Sequence, residues 1–158
     1  MEVKNDAFFM KEALKQAKIA FTRDEVPVGA VVVYKNKIIS RAYNQVEMLK
    51  DPTAHAEMLA LTEASNFLGN KRLLDCAIYV TIEPCSMCAG ALVLSRIKKV
   101  IYAAKDPKTG ACGSVINIAN NRKLNHRIEI KSGILEKDCS LLLKEFFIKK
   151  RKEVVKRN

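Results

Sequence analysis

No apolar stretch of the sequence is long enough to cross a bilayer. The longest, VGAVVVY and AGALVL, fall far short of the ~20 residues a spanning helix needs. A secretory leader is not expected either, because MEVKNDAFFMKEALK is broken by Asp6, Lys11 and Glu12. No segment is repeated, low in complexity or rich in Pro and Gly, and 49% of the residues are apolar, which argues against disorder. A disulfide framework is missing as well. The five cysteines are odd in number, and two of them form a Cys-x-x-Cys pair, a spacing that favours metal binding or catalysis in a reducing compartment. A cytoplasmic protein is expected, with Cys76, Cys112 and Cys139 as plain core or loop thiols.

At 158 residues the chain suits one domain with its own core, residues 1–158 including a basic C-terminal helix from about residue 138. Its net charge of +11 permits a polyanionic partner. The distribution is more specific than the total. The last fifteen residues, KEFFIKKRKEVVKRN, carry seven Lys or Arg against two Glu, and SRIKKV and KDPKTG add to them. This pattern points to RNA or DNA; a solvated helix face is the alternative.

Apolar residues at 10, 13, 14, 17, 20 and 21 predict a first helix capped by Asn5 or Asp6. VGAVVVY and KIISRAY, joined by KNK, predict a hairpin. Pro52 and Thr53 open a helix running to about Gly69, CAIYVTI is a buried strand, and Pro84 starts a helix through SMCAGALVLS. KVIYAA is a strand, residues 106–127 are loop-rich with a short helix near SVINIANN, RIEI is a strand, and a long helix starts at Asp138. The order α-β-β-α-β-α-β-β-α, with a parallel pair across residues 77–104, predicts an α/β class: a three-layer α/β/α domain on a mixed five-stranded sheet.

One of only two histidines lies in TAHAEMLAL, two residues before a glutamate, on a helix otherwise made for burial. Buried imidazoles and carboxylates need partners. Cys85 and Cys88, in TIEPCSMCAGA, open the next helix, where the helix N-terminus favours thiolate. One imidazole and two thiolates leave the fourth tetrahedral position of Zn²⁺ open, the composition of a catalytic site. His55, Cys85 and Cys88 are therefore expected to hold one zinc ion per subunit, with Glu57 beside it moving a proton. The competing arrangement is a closed zinc staple, its fourth ligand drawn from His126, Cys112, Cys76 or Cys139.

The pair H-x-E and P-C-x-x-C resembles the zinc-dependent nucleobase deaminases. DEVPVGAVVV, DPTAHAEMLAL, YVTIEPCSMCAGALVLSRI, KDPKTGACGS, LNHRIEI and EFF before a basic tail are similar to the bacterial tRNA-specific adenosine deaminases, over almost the whole chain. That resemblance implies a cytidine-deaminase-like fold. It also implies conversion of the wobble adenosine of an arginine tRNA to inosine, by zinc-hydroxide attack at C6 of a flipped-out base with loss of ammonia. It implies that Asn44 holds the target nucleoside, that Asp106 and Lys108 contact the anticodon stem-loop, and that Phe146 and Phe147 open the basic segment. A homodimer is implied too. Lys71, Gln45, Ala103 and the absence of glycine before Asn44 depart from the family pattern, all away from the zinc residues. A deaminase of free bases, a silent RNA-binding subunit and a zinc-stapled structural domain are the competing functions.

Overall fold

The computed structural model describes residues 2–157. In chain order the elements are α1 (Asp6–Thr22), β1 (Gly29–Tyr34), β2 (Lys37–Tyr43), α2 (Val46–Leu49), α3 (Ala56–Leu68), β3 (Cys76–Ile82), α4 (Ser86–Leu94), β4 (Lys99–Ala104), β5 (Glu129–Ser132) and α5 (Glu136–Arg157). The strands form one sheet in the order β2-β1-β3-β4-β5. β1 is antiparallel to β2 and to β3, and β3, β4 and β5 run parallel. This is the expected three-layer arrangement.

Alternation along the strands assigns the two faces. Val31, Val33, Tyr79 and Ile101 pack with Phe9, Met10, Ala13 and Ala17 of α1 and Cys139 of α5. Val32, Ile78, Val80 and Val100 face the other way, against Ala60 and Ala64 of α3 and Ala89 and Leu92 of α4. Full burial of a side chain such as Met10 contributes roughly 1.5–3 kcal/mol. α1 lies so close to β1 that a Cβ on Gly29 would fall 2.1 Å from the Ala13 carbonyl oxygen, so only glycine fits there.

Asp6 ties three elements together. Its carboxylate accepts from the Tyr79 hydroxyl and from the Lys131 ammonium, each at 2.6 Å, linking α1 to β3 and β5. Partial burial pushes its pKa up, but the Lys131 and Tyr79 hydrogen bonds outweigh it and hold the carboxyl below its ordinary range. A lowered folded-state pKa gives stability that is present above the unfolded value and is lost as pH falls through the folded one. Asp6→Asn is therefore expected to lose about 1–3 kcal/mol in urea unfolding at pH 7. Its gap from wild type should narrow below about pH 4.

The local differences from expectation have identifiable causes. Asn5, and not Asp6, caps α1, its side chain accepting from Phe8 N at 2.9 Å. The hairpin turn is two residues, Lys35 and Asn36, both at positive φ, which is the twist a tight hairpin requires. α3 begins at Ala56 rather than at Pro52, because Asp51 Oδ1 accepts from both Thr53 N and Thr53 Oγ1 and folds residues 51–53 into a turn. α4 begins at Ser86, after Pro84. The short helix α2 was not expected. No helix forms near SVINIANN; Cys112 bridges Asn117 there instead. The last strand is Glu129–Ser132 rather than residues 127–130, since Ile128 N donates to Ala119 O. α5 starts two residues earlier than expected, at Glu136. Among the described residues no helix is long and apolar enough to cross a membrane.

The register gathers one set of strand ends. Gly29, which opens β1, pairs with Tyr43, which ends β2, and Ile82 pairs with Ala104 at the carboxyl ends of β3 and β4. The segments leaving that edge carry Asn44, Glu83 with Cys85, and Asp106. Crevices at the carboxyl ends of strands are where open α/β sheets bind ligands.

Candidate active site

His55 and Cys85 are the N-cap residues of α3 and α4, both with extended backbone, and neither spends its side chain on capping. Cys88 lies one turn into α4. His55 Nδ1 is 3.6 Å from Cys85 Sγ and 3.4 Å from Cys88 Sγ, and the three donor atoms lie within 4.8 Å of one another. A tetrahedral ion with ordinary Zn–N and Zn–S bonds needs N···S separations of about 3.5 Å. The donor set and its spacing fit zinc. Among the described residues no fourth His, Cys, Asp or Glu joins this cluster.

The thiols divide one proton between them. The Cys85 thiol falls to about 4, chiefly through its hydrogen bond with Cys88; burial opposes this and His55 adds to it. The same bond pushes Cys88 far up, and burial and the Glu57 charge add to that. His55 is raised, first by its hydrogen bond with Cys85. The other three thiols are buried and inert: burial pushes Cys76 up to about 11, and Cys112 and Cys139 up to about 12. His126, the other histidine, is a structural hydrogen-bonder, its Nε2 2.6 Å from Ile97 O.

Glu57 sits in the first turn of α3, only 3% exposed, its pKa raised by burial. Together with His55 and Cys85 it lines a cleft of about 1610 Å³. Each residue singled out by resemblance also borders that cleft. Asn44, at the end of β2, donates Nδ2 to Val26 O at 3.3 Å, while its Oδ1 is buried without a partner. Asp106 uses its carboxylate on its own loop, accepting from Lys108 N, Thr109 N and Thr109 Oγ1. The Lys108 side chain is left to the cleft rim. Phe146 is buried edge-on against Phe21, 5.9 Å between centroids, whereas Phe147 is 45% exposed and faces the opening. Beyond it the groove continues along α5 past Lys144, Lys150 and Arg151.

Two buried carboxylates were missed by the sequence reading. Glu25 accepts from Glu47 N and Met48 N, both at 2.8 Å, and so holds α2 against the cleft. Glu83 holds the opposite wall. The available signal was a glutamate at the edge of an apolar stretch, in DEVPVG and TIEPC.

The MafB19-like deaminase family matches residues 4–151. A tRNA-specific adenosine deaminase of Aquifex aeolicus is 54% identical over 148 residues, 94% of this chain and 97% of its own. A structure solved in a study of A-to-I editing by tRNA:A34 deaminases at the wobble position superposes with a TM-score of 0.83 at 40% identity, covering 85% of this chain and 98% of that one. Guanine deaminase from Bacillus subtilis, also 40% identical, reaches 0.62 over 65% of this chain and 66% of its own. The chain belongs to the tRNA-specific adenosine deaminases.

Proposed function

We propose that the protein converts the wobble adenosine of a tRNA anticodon, that of an arginine tRNA, to inosine and ammonia. The observation that supports this reading best is the placement of His55, Cys85 and Glu57, with the buried Cys88 thiol beside them, in a cleft also lined by Lys108, Phe147 and the basic helix α5. A cleft of about 1610 Å³ is larger than the ~300–1,000 Å³ typical of small-molecule sites, which favours a nucleotide presented by a larger RNA over a free base.

His55, Cys85 and Cys88 would hold one zinc ion per subunit. When bound, zinc supplies Lewis acidity that makes water nucleophilic near neutral pH. Glu57 would take the first proton that water loses on attacking C6 and place it on N1 of the ring, where it stays, and would then carry the second, from the new C6 hydroxyl, to the departing amine. A C–O bond forms and the C6–N bond breaks, so the adenosine leaves as inosine. Asn44 Oδ1, the one buried side-chain nitrogen or oxygen without a partner among the described residues, accepts a hydrogen bond from the flipped-out nucleoside. Phe147 offers a face to a neighbouring base, Lys108 and the α5 cations hold phosphates, and binding weakens with salt. Asp106 acts through the loop it shapes.

A cytoplasmic homodimer completes the reading. Leu74 and Leu94, 56% and 82% exposed and brought together by the Leu73 N to Ser95 O hydrogen bond, suit a second copy of the chain. The test is zinc-loaded protein, run at the mass of two chains by light scattering, with an anticodon stem-loop bearing wobble adenosine. A cytidine version and free adenine, guanine and cytosine run beside it. Inosine is expected in the adenosine loop alone. Ammonia from guanine with none from RNA would replace this reading with a free-base deaminase.

A further inference from the structure

Glu83 follows β3 directly and precedes Pro84 and the metal-cluster residue Cys85. Its carboxylate is buried, 2% exposed, and surrounded by donors from one distant loop. Oε1 accepts from Asp106 N at 3.1 Å and from the Ser114 hydroxyl. Oε2 accepts from Cys112 N at 3.0 Å and Ser114 N at 3.1 Å. The loop closes around the carboxylate so tightly that a Cβ on Gly110 would lie 2.4 Å from it. The same loop is held to the metal cluster: Gly110 bridges Cys85, and Ala111 N donates to Pro84 O at 2.8 Å.

Residues 105–114 form no helix or strand, so their buried N–H groups have no ladder to satisfy them. One carboxylate supplies acceptors for three of them, in charge-assisted bonds stronger than backbone ones. With every favourable acceptor position taken, Glu83 has nothing left for a substrate proton. What it sets is the position of the wall carrying Lys108.

We propose that Glu83 is a positioning residue of the deaminase: through its bonds to Asp106, Cys112 and Ser114 it fixes the 105–114 wall at which the RNA beside the target nucleotide is received. This rests on the function proposed above. The chemistry at C6 belongs to Glu57, His55, Cys85 and Cys88, whose side chains make none of the Glu83 hydrogen bonds, so loss of Glu83 moves substrate capture more than turnover. Glutamine is nearly isosteric but turns one acceptor into a donor, which faces N–H groups.

The test uses full-length zinc-loaded protein, with Glu83→Gln and the milder Ser114→Ala, which removes a single donor from a solvent-exposed residue. Zinc per chain and stem-loop kinetics are measured, together with hydrogen exchange at the amides of Asp106, Cys112 and Ser114. Zinc should stay at one per chain, exchange at those amides should quicken, and KM should rise about 10–100-fold for Glu83→Gln, with kcat within about 3-fold. Ser114→Ala should move KM the same way by a smaller factor, and it decides the matter if Glu83→Gln does not fold. Adding Lys108→Ala to Glu83→Gln should raise KM little further, since both act through one wall. Faster exchange with unchanged KM would overturn the proposal by reducing Glu83 to a structural role. Collapse of kcat with KM and zinc unchanged would overturn it by placing Glu83 in the chemistry. A wild-type protein that makes no inosine overturns the proposed function; quickened exchange in the variants would still show that Glu83 holds the loop.

Discussion

Glu57→Gln should leave the protein folded and metal-loaded while inosine formation drops by about 10²–10⁴-fold. Glutamine keeps the volume and one acceptor of the side chain but cannot hold and return a proton. Its surroundings suit that proposed task. It is 3% exposed, in the first turn of a helix whose N-cap is the metal-cluster residue His55, and it faces the cleft. A carboxylate in such a place is expensive to bury, and no Lys or Arg pairs with it among the described ion pairs. Removing its charge should therefore leave the unfolding midpoint unchanged or raise it. A residue kept for packing or for an ion pair would show the reverse, a lower midpoint with activity falling in proportion. Inosine formation within about 3-fold of wild type would remove Glu57 from the reaction. The measurement is single-turnover inosine yield from the stem-loop, with zinc content and melting temperature on the same samples.

The elements that could be read in advance are those whose cause is local. CAIYVTI becomes β3 because seven consecutive residues suit a strand covered on both faces, and α1 ends up where its apolar period places it. That His55, Cys85 and Cys88 come together was legible because an imidazole and two thiols at helix starts show their pairing in their spacing. What was not legible depends on partners far away in sequence. α2 exists because Glu25, more than twenty residues earlier, accepts from its first N–H groups. SVINIANN has helical spacing at 115, 116 and 118, yet the adjoining Cys112 and Ser114 amides are committed to Glu83, about thirty residues earlier, and Asn117 pairs back with Cys112. A buried carboxylate satisfied wholly by backbone leaves no complementary charge to find in the sequence. Phe146 and Phe147 show the same limit. The dipeptide alone does not say which ring is core; the position of Phe21 does.

Removing the metal with a chelator should abolish turnover and leave the fold standing, with zinc restoring activity. The two core clusters account for the sheet and the helices packed on it, and neither includes His55, Cys85 or Cys88, which sit at the starts of α3 and α4. A structural zinc would behave differently, because it closes all four positions with protein ligands and its loss unfolds the domain. Here the alternatives for a fourth ligand are occupied elsewhere: His126 is bonded to Ile97 O, and Cys112, Cys76 and Cys139 are buried outside the cluster. The ion should still stabilise by mass action. Free zinc at 1,000 times its dissociation constant adds about 4 kcal/mol, which for a chain of this size is roughly 8–16 °C in melting temperature. Cys88→Ser should reproduce the chelated state permanently, since a hydroxyl is a poor replacement for a buried thiolate ligand. Far-UV circular dichroism at 25 °C, melting with and without zinc, and stem-loop turnover separate the outcomes. Unfolding of the chelated protein at 25 °C would make the site structural, and full turnover after complete removal would take metal out of the reaction.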